Sequence, residues 1–275
     1  MELISYGDSI PEGEYSLHSA FANAINFSRG SLIVSLVPPR AGAGPLNLVV
    51  AQLPPGAKKL RSTRFYFYVD ENRLRKEPEA RYDSAVPENA DPDKVLAGLD
   101  ALKDMLVRWA PPLSLAFIFD PALEKGFTRT FERHLLASFK KGVSHFRAGD
   151  CERGVKALRG LGLGLTPSGD DFISGLLAGY NFARLGMRFD TAARIERVYF
   201  HAGGSNPISD SFMRCSYEGR VNAKVLRLLK ALSGGSRAEL AAAAKAALAS
   251  GHTSGADFCS GLVFALTEVL HNRGE

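Results

Sequence analysis

The chain is poor in the residues that usually announce chemistry. Its three cysteines (Cys151, Cys215, Cys259) share no CxxC spacing and are too few for a disulfide framework, so a reduced, cytoplasmic protein is expected. No HxH or HExxH pattern occurs and no order of Ser, His and Asp makes a defensible triad, so neither a metal nor a cofactor is expected. No stretch approaches the ~18 uninterrupted apolar residues of a membrane helix. The opening MELISYGDSIPEGEY lacks the apolar run of a signal peptide. Charge of one sign is scarce too: 34 Lys and Arg against 29 Asp and Glu leave a net +5. The basic residues are dispersed, without the dense stripe and interleaved aromatics of a nucleic-acid binder. A small anion is the partner that such a mild excess suits.

What the chain does have changes period along its length. Ser31 to Val37, Leu46 to Leu53 and Arg64 to Val69 are short, rich in β-branched or aromatic residues, and bounded by Pro38-Pro39, Gly42 to Pro45 and Pro54-Pro55-Gly56. They predict strands, and residues 70–93, polar and broken by proline, predict an exposed excursion. His18, alone in its stretch, predicts a structural histidine. Beyond residue 92 the apolar spacing becomes three or four, which predicts helices over Asp93 to Trp109, Phe127 to Phe146 and Glu239 to Leu248. Strands first and helices later imply an α+β fold: a β-rich region over 1–90 packed on a helical region over 91–275.

Inside the helical region the chain repeats itself. SGDDFISGL from Ser168 and SGADFCSGL from Ser254 differ at two of nine positions, 86 residues apart. Gly149 and Gly235 share that offset, so the duplicated unit is expected to be helix, helix, then the S-G-x-D helix. Ser168 with Asp171, and Ser254 with Asp257, have capping-box spacing, with Asp in the usual place of Glu or Gln. Two readings stay open. In one, the motifs only cap two helices. In the other, Gly169 and Gly255 bare the first N–H groups of two neighbouring helices for a phosphate or carboxylate, and Gly175 and Gly261 let a second backbone pack close. Asp170, whose twin position holds Ala256, is the acid expected to be chemical, and Asp171 and Asp257 complete the candidate acids. GLGLGLTPSG lacks the P-loop lysine, and Pro167 stands where GxGxxG would need glycine.

Between the copies, His201 to Arg220 gathers Ser205, Asn206, Ser209, Asp210 and Ser211 around Gly203-Gly204, with Arg214 or Arg220 available to a carboxylate. As structure, it predicts a loop and a helix capped near Ser209.

GLGLGLTPSGDDF, then SNPIS, then GHTSGADFCSG resemble a bacterial family long filed as a domain of unknown function and linked to the oxamate carbamoyltransferase subunit of allantoin catabolism. Leu163 departs from that pattern where proline is expected, Ser205 where threonine is usual and Thr253 where serine is usual. The resemblance implies the reaction of oxalurate and phosphate to oxamate and carbamoyl phosphate, with partner subunits or further copies of the chain as assembly partners. The glycine-bared helix starts and the polar loop make Thr166, Ser168, Gly169, Ser205, Asn206, Ser209, Ser254 and Gly255 the expected substrate or anion contacts. The competing class is a non-catalytic metabolite-binding or scaffold subunit.

Overall fold

A computed structural model describes residues 1–204 and 206–271. The chain divides into two compact units: Met1–Ala85 with Arg220–Ala223, and Val86–Gly219 with the residues from Lys224 on.

The first unit is one sheet of nine strands: β1 (Leu3–Gly7), β2 (Gly13–Phe21), β3 (Ala24–Arg29), β4 (Leu32–Val37), β5 (Asn47–Val50), β6 (Lys59–Ser62), β7 (Tyr66–Val69), β8 (Asn72–Arg75) and β9 (Arg81–Tyr82). Their order is β8-β7-β6-β2-β3-β4-β5-β1-β9, antiparallel except for β4 beside β5 and β1 beside β9. The three strands expected from the sequence are β4, β5 and β7. β4 is buried at all six positions, and Phe27, Val34, Leu36, Leu48, Val50 and Phe67 are sealed from solvent around it. Two-residue turns join β3 to β4 and β7 to β8, with Gly30 at φ 60° and Asp70 at φ 47° supplying the left-handed conformation such turns need.

The expected excursion over 70–93 is corrected in part, because it contains β8 and β9. β8 reads NRLR and buries only Leu74, so an edge strand with two wetted faces leaves little hydrophobic signal. Arg220 also departs from expectation. It lies in this unit and donates to the Asp8 carboxylate and to the Ser84 hydroxyl, so it is already committed.

The second unit is helical: α1 (Pro92–Trp109), α2 (Thr130–Arg147), α3 (Cys151–Leu158), α4 (Ser168–Asn181), α5 (Ala192–Ala202), α6 (Pro207–Tyr217), α7 (Ala223–Leu232), α8 (Arg237–Leu248) and α9 (Ser254–His271). All fourteen residues of α4 are buried. It lies along α9, with α3, α5 and α6 also against α4, and α1 and α8 against α9.

The α4–α9 contact is reciprocal. A Cβ on Gly175 would lie 2.0 Å from Phe258 O, and a Cβ on Gly261 would lie 2.0 Å from Phe172 O. Leu262 N and Leu176 N stand next in the two environments. Each residue pair recurs with both numbers exchanged by 86, which is what a local twofold between two parallel, in-register helices produces. The expected close backbone packing at Gly175 and Gly261 is therefore present.

The duplication reaches further back, unevenly. α3 and α8 begin 86 residues apart, each capped by a side chain: Asp150 accepts from Arg153 N and Ser236 from Glu239 N. α3 then stops after 8 residues and α8 after 12, so the first copy replaces a turn of helix by the longer glycine loop 159–167. Gly149 is left-handed at φ 78°, but in the second copy that conformation falls on Gly234. The expected Gly149–Gly235 equivalence holds by number and fails in conformation.

Candidate functional site

The parallel pairing of α4 and α9 brings the two S-G-x-D starts side by side. Ser168 and Ser254 are each the first residue of their helix. The N–H of Asp171 donates to Pro167 O and that of Asp257 to Thr253 O. The capping-box expectation is thereby corrected. The cap position belongs to Pro167, which has no side chain able to cap, and the Ser and Asp side chains are released from their own helix turn.

The Ser side chains cross instead to the other copy. Thr166 Oγ1 donates to Asp171 Oδ2 at 3.0 Å and lies 3.0 Å from Ser254 Oγ. Ser168 Oγ lies 3.4 Å from Thr253 Oγ1. The hydroxyl of Ser254 acts on Asp171 while that of Ser168 acts on Asp257, the same exchange that relates the glycines. Asp257 Oδ1 accepts from Leu115 N at 2.7 Å, from the short helical turn Leu115–Ile118. Its Oδ2 is buried with no hydrogen-bond donor.

Burial dominates the electrostatics. Asp257 is wholly enclosed, and its carboxyl is pushed up to about 7, although the Leu115 N–H and the Ser168 and Thr253 hydroxyls oppose the shift. Burial, then the charge of Asp257, hold Asp171 well above the ordinary carboxylate range against the pull of Ser254 and Thr166. Burial raises the neighbouring Cys259 thiol to about 12, which leaves it an inert neutral group.

Asp170 points elsewhere. Its Oδ1 accepts from Gly160 N at 2.7 Å, which ties the start of the glycine loop to α4. The hydrogen bonds thus give Asp170 a partner in the glycine loop, while Asp171 and Asp257 lie close enough for their charges to act on each other. Gly160, Gly162 and Gly164 have φ of 71°, 134° and 99°, so the loop needs glycine at each.

Gly169 and Gly255 do not bare their N–H groups. Gly169 N donates to Leu161 O and Gly255 N to Ser250 O, both at 2.8 Å. A Cβ on Gly169 would lie 1.9 Å from Leu158 O, and one on Gly255 would lie 2.2 Å from Ala247 O. A carbonyl from the last turn of the preceding helix, not an opening, explains each glycine.

Asn206 caps α6: its Oδ1 accepts from Ile208 N and Ser209 N, and its Nδ2 donates to Ser209 Oγ at 3.1 Å. The expected cap near Ser209 is therefore Asn206, three residues earlier, and Pro207 fits the first helical position. Ser205 lies outside the described residues. Arg214 is engaged with Glu218 at 2.9 Å. The loop before α6 is joined to the glycine loop by Arg159, whose guanidinium donates to Gly203 O at 2.8 Å. His18 lies exposed in the strand unit beside Ser19. Among the described residues no group of three His, Cys, Asp or Glu could hold a metal, and no helix is long and apolar enough to cross a membrane.

The structure therefore brings together Thr166, Ser168, Asp171, Ser254 and Asp257, and sets Asp170, Gly169 and Gly255 behind them against the loops. Sequence reasoning passed over Leu115 and Arg159 and gave Thr253 and Gly160 no role in the site. Thr253 was within reach, because the 86-residue offset makes it the twin of Pro167. Leu115 contributes a backbone N–H from a distant turn, which leaves no mark on residue type.

No curated protein and no solved structure matches the chain. Residues 158–266 match the model of one family, described as oxamate carbamoyltransferase subunit AllH. Both S-G-x-D copies, the glycine loop and the start of α6 fall within that stretch, which links the site-bearing part of the chain to the AllH family.

Proposed function

We propose that this chain is a subunit of a carbamoyl-transfer enzyme acting on a small ureido carboxylate with phosphate, oxalurate and phosphate giving oxamate and carbamoyl phosphate. One coincidence carries the reading. The AllH-like stretch begins at Leu158, the last residue of α3, and contains the whole reciprocal cluster of hydroxyls and acids.

In this reading a phosphate oxygen attacks the ureido carbon, the carbon–nitrogen bond to the oxamate nitrogen breaks, and that nitrogen takes up a proton. The chain's contribution is alignment of two anions and control of one proton. Thr166, Ser168 and Ser254 supply hydroxyl donors. Arg159, at the start of the loop that carries Thr166 and with no carboxylate partner among the described residues, supplies positive charge from that loop. Asp170 fixes the loop that carries Arg159 and Thr166. Partner subunits complete the enzyme.

A second reading has its own support. The first N–H groups at Gly169 and Gly255 are spent on loop carbonyls, which suits a scaffold subunit whose motif only joins two helices. The test is carbamoyl phosphate formation from oxalurate and phosphate, by the chain alone and by the chain with its co-purified partner subunits. Thermal shifts with phosphate, oxamate, oxalurate and carbamoyl phosphate accompany the assay. Activity that Arg159→Ala reduces supports transfer at this site. Absence of both turnover and ligand shifts supports the scaffold.

A further inference from the structure

The two acids at the head of α4 and α9 lack what buried carboxylates normally have. Among the described residues no Lys, Arg or His from any neighbouring element comes within ion-pair distance of Asp171 or Asp257. The groups around them are hydroxyls and a backbone N–H: Thr166 from the loop 159–167, Ser168 from α4, Thr253 and Ser254 from the start of α9, and Leu115 from the 3₁₀ turn. The other charged or titratable groups nearby are Asp170, Cys259, the exposed His252 and Lys224, whose ammonium donates to Ser250 Oγ in the loop before α9, and Arg159 is held on the Gly203 carbonyl. The Ser168 and Thr253 hydroxyls lie near the Asp257 carboxyl, but no donor is within hydrogen-bond distance of its Oδ2. Two enclosed carboxylates of like charge, without a counter-ion and with an orphaned oxygen, cannot both be ionised.

Resting on the carbamoyl-transfer reading above, we propose that Asp171 and Asp257 hold one proton in common and that this proton is the one the leaving nitrogen receives. The path out is a hydroxyl chain. Thr166 Oγ1 is 3.0 Å from Asp171 Oδ2 and 3.0 Å from Ser254 Oγ, and both hydroxyls belong to half-buried residues. When Asp171 holds the proton, the Asp171–Thr166 bond runs the other way: Asp171 donates to Thr166 Oγ1 and the Thr166 hydroxyl turns to Ser254 Oγ. A proton entering Thr166 then displaces the Thr166 proton to Ser254, and Ser254 releases its own to the substrate. The oxamate nitrogen takes that proton as its bond to the ureido carbon breaks. The proton lost by the attacking hydrogen phosphate returns along the same chain, so the pair ends each turnover as it began. The acids store the proton, and the substrate touches the hydroxyls.

The test starts from infrared spectroscopy of the full chain at about pH 8, where ordinary carboxyls are ionised. A protonated-carboxyl band is expected in the wild type. Asp171→Asn should remove it. Asp257→Asn should move its titration to lower pH, because the like charge beside Asp171 is gone. Thr166→Val and Ser254→Ala should keep the band while carbamoyl transfer by the assembled enzyme falls about 100-fold. A wild type that transfers carbamoyl groups but shows no band at pH 8 overturns the shared proton and leaves the functional reading standing. A band without any transfer overturns the functional reading, and with it this proton's role. Full activity in both hydroxyl variants overturns the chain.

Discussion

Alanine at Gly175 or Gly261 is the sharpest probe of the paired helices. In an exposed helix the change would stabilise by about 1 kcal/mol, because alanine is the better helix former. Here the new Cβ would meet Phe258 O or Phe172 O at 2.0 Å. A carbonyl locked in a helix cannot rotate aside, so α4 and α9 must part by more than about an ångström, against helices packed on both. Overpacking of that kind costs about 1–3 kcal/mol, occasionally more, and backbone obstruction places it at the upper end. The net expectation is a loss of about 2 kcal/mol for each variant, the two values agreeing within about 1 kcal/mol because the environments are twins. The double variant should cost clearly less than the sum, since parting the helices for one methyl makes room for the other. Urea unfolding of the three variants beside the parent measures all of this. Neutral single variants would refute the close approach. Strict additivity would refute the claim that both glycines serve one contact.

Gly169→Ala and Gly255→Ala should each destabilise by about 1–3 kcal/mol in calorimetry, because the Cβ would enter a carbonyl at 1.9 or 2.2 Å. A raised melting temperature would return both positions to open helix ends. Asp170→Ala removes the acceptor of Gly160 N, and should cost about 1–3 kcal/mol while speeding amide exchange at Gly160. Unchanged exchange there would show that the loop is held by other means. Asn206→Ala should cost about 0.5–2 kcal/mol through the lost cap of α6, read from the same unfolding curves. For Asp257 the sign follows from a folded pKa raised to about 7 over an unfolded value near 4. The folded state binds the extra proton between those values, so stability is greatest near pH 4 and falls as pH rises to about 7. The drop is on the order of 4 kcal/mol, and Asp257→Asn should flatten it.

The twofold at the core of the helical unit was legible because it was written in residue type. Ser168, Gly169, Asp171, Phe172 and Gly175 recur as Ser254, Gly255, Asp257, Phe258 and Gly261, and a spacing shared by two copies survives any error in locating one helix. What the residues do for one another was not legible, for a physical reason. Ser and Asp three apart fit a capping box within one helix as well as they fit a cross-bond between two, and one residue of frame separates the cases. Pro167 decides it. Proline at that place supplies the Asp171 N–H with a carbonyl but has no side chain to cap with, so helix α4 starts with Ser168 already inside it. Ser168 then turns to Thr253 of the opposite copy, while Asp171 accepts from Thr166 of its own loop, which in turn meets Ser254. The same logic separates the three acids. Asp170 and Asp171 are neighbours in sequence, but successive helical positions face about 100° apart, so one meets Gly160 and the other meets Asp257's surroundings. Ala256 is then the natural twin of Asp170, because the loop 249–253 before α9 is short and presents no equivalent of Gly160 to be held. The site's asymmetry follows from this difference: one helix start carries a long glycine loop with Arg159 and Thr166, and the other carries the more deeply enclosed acid.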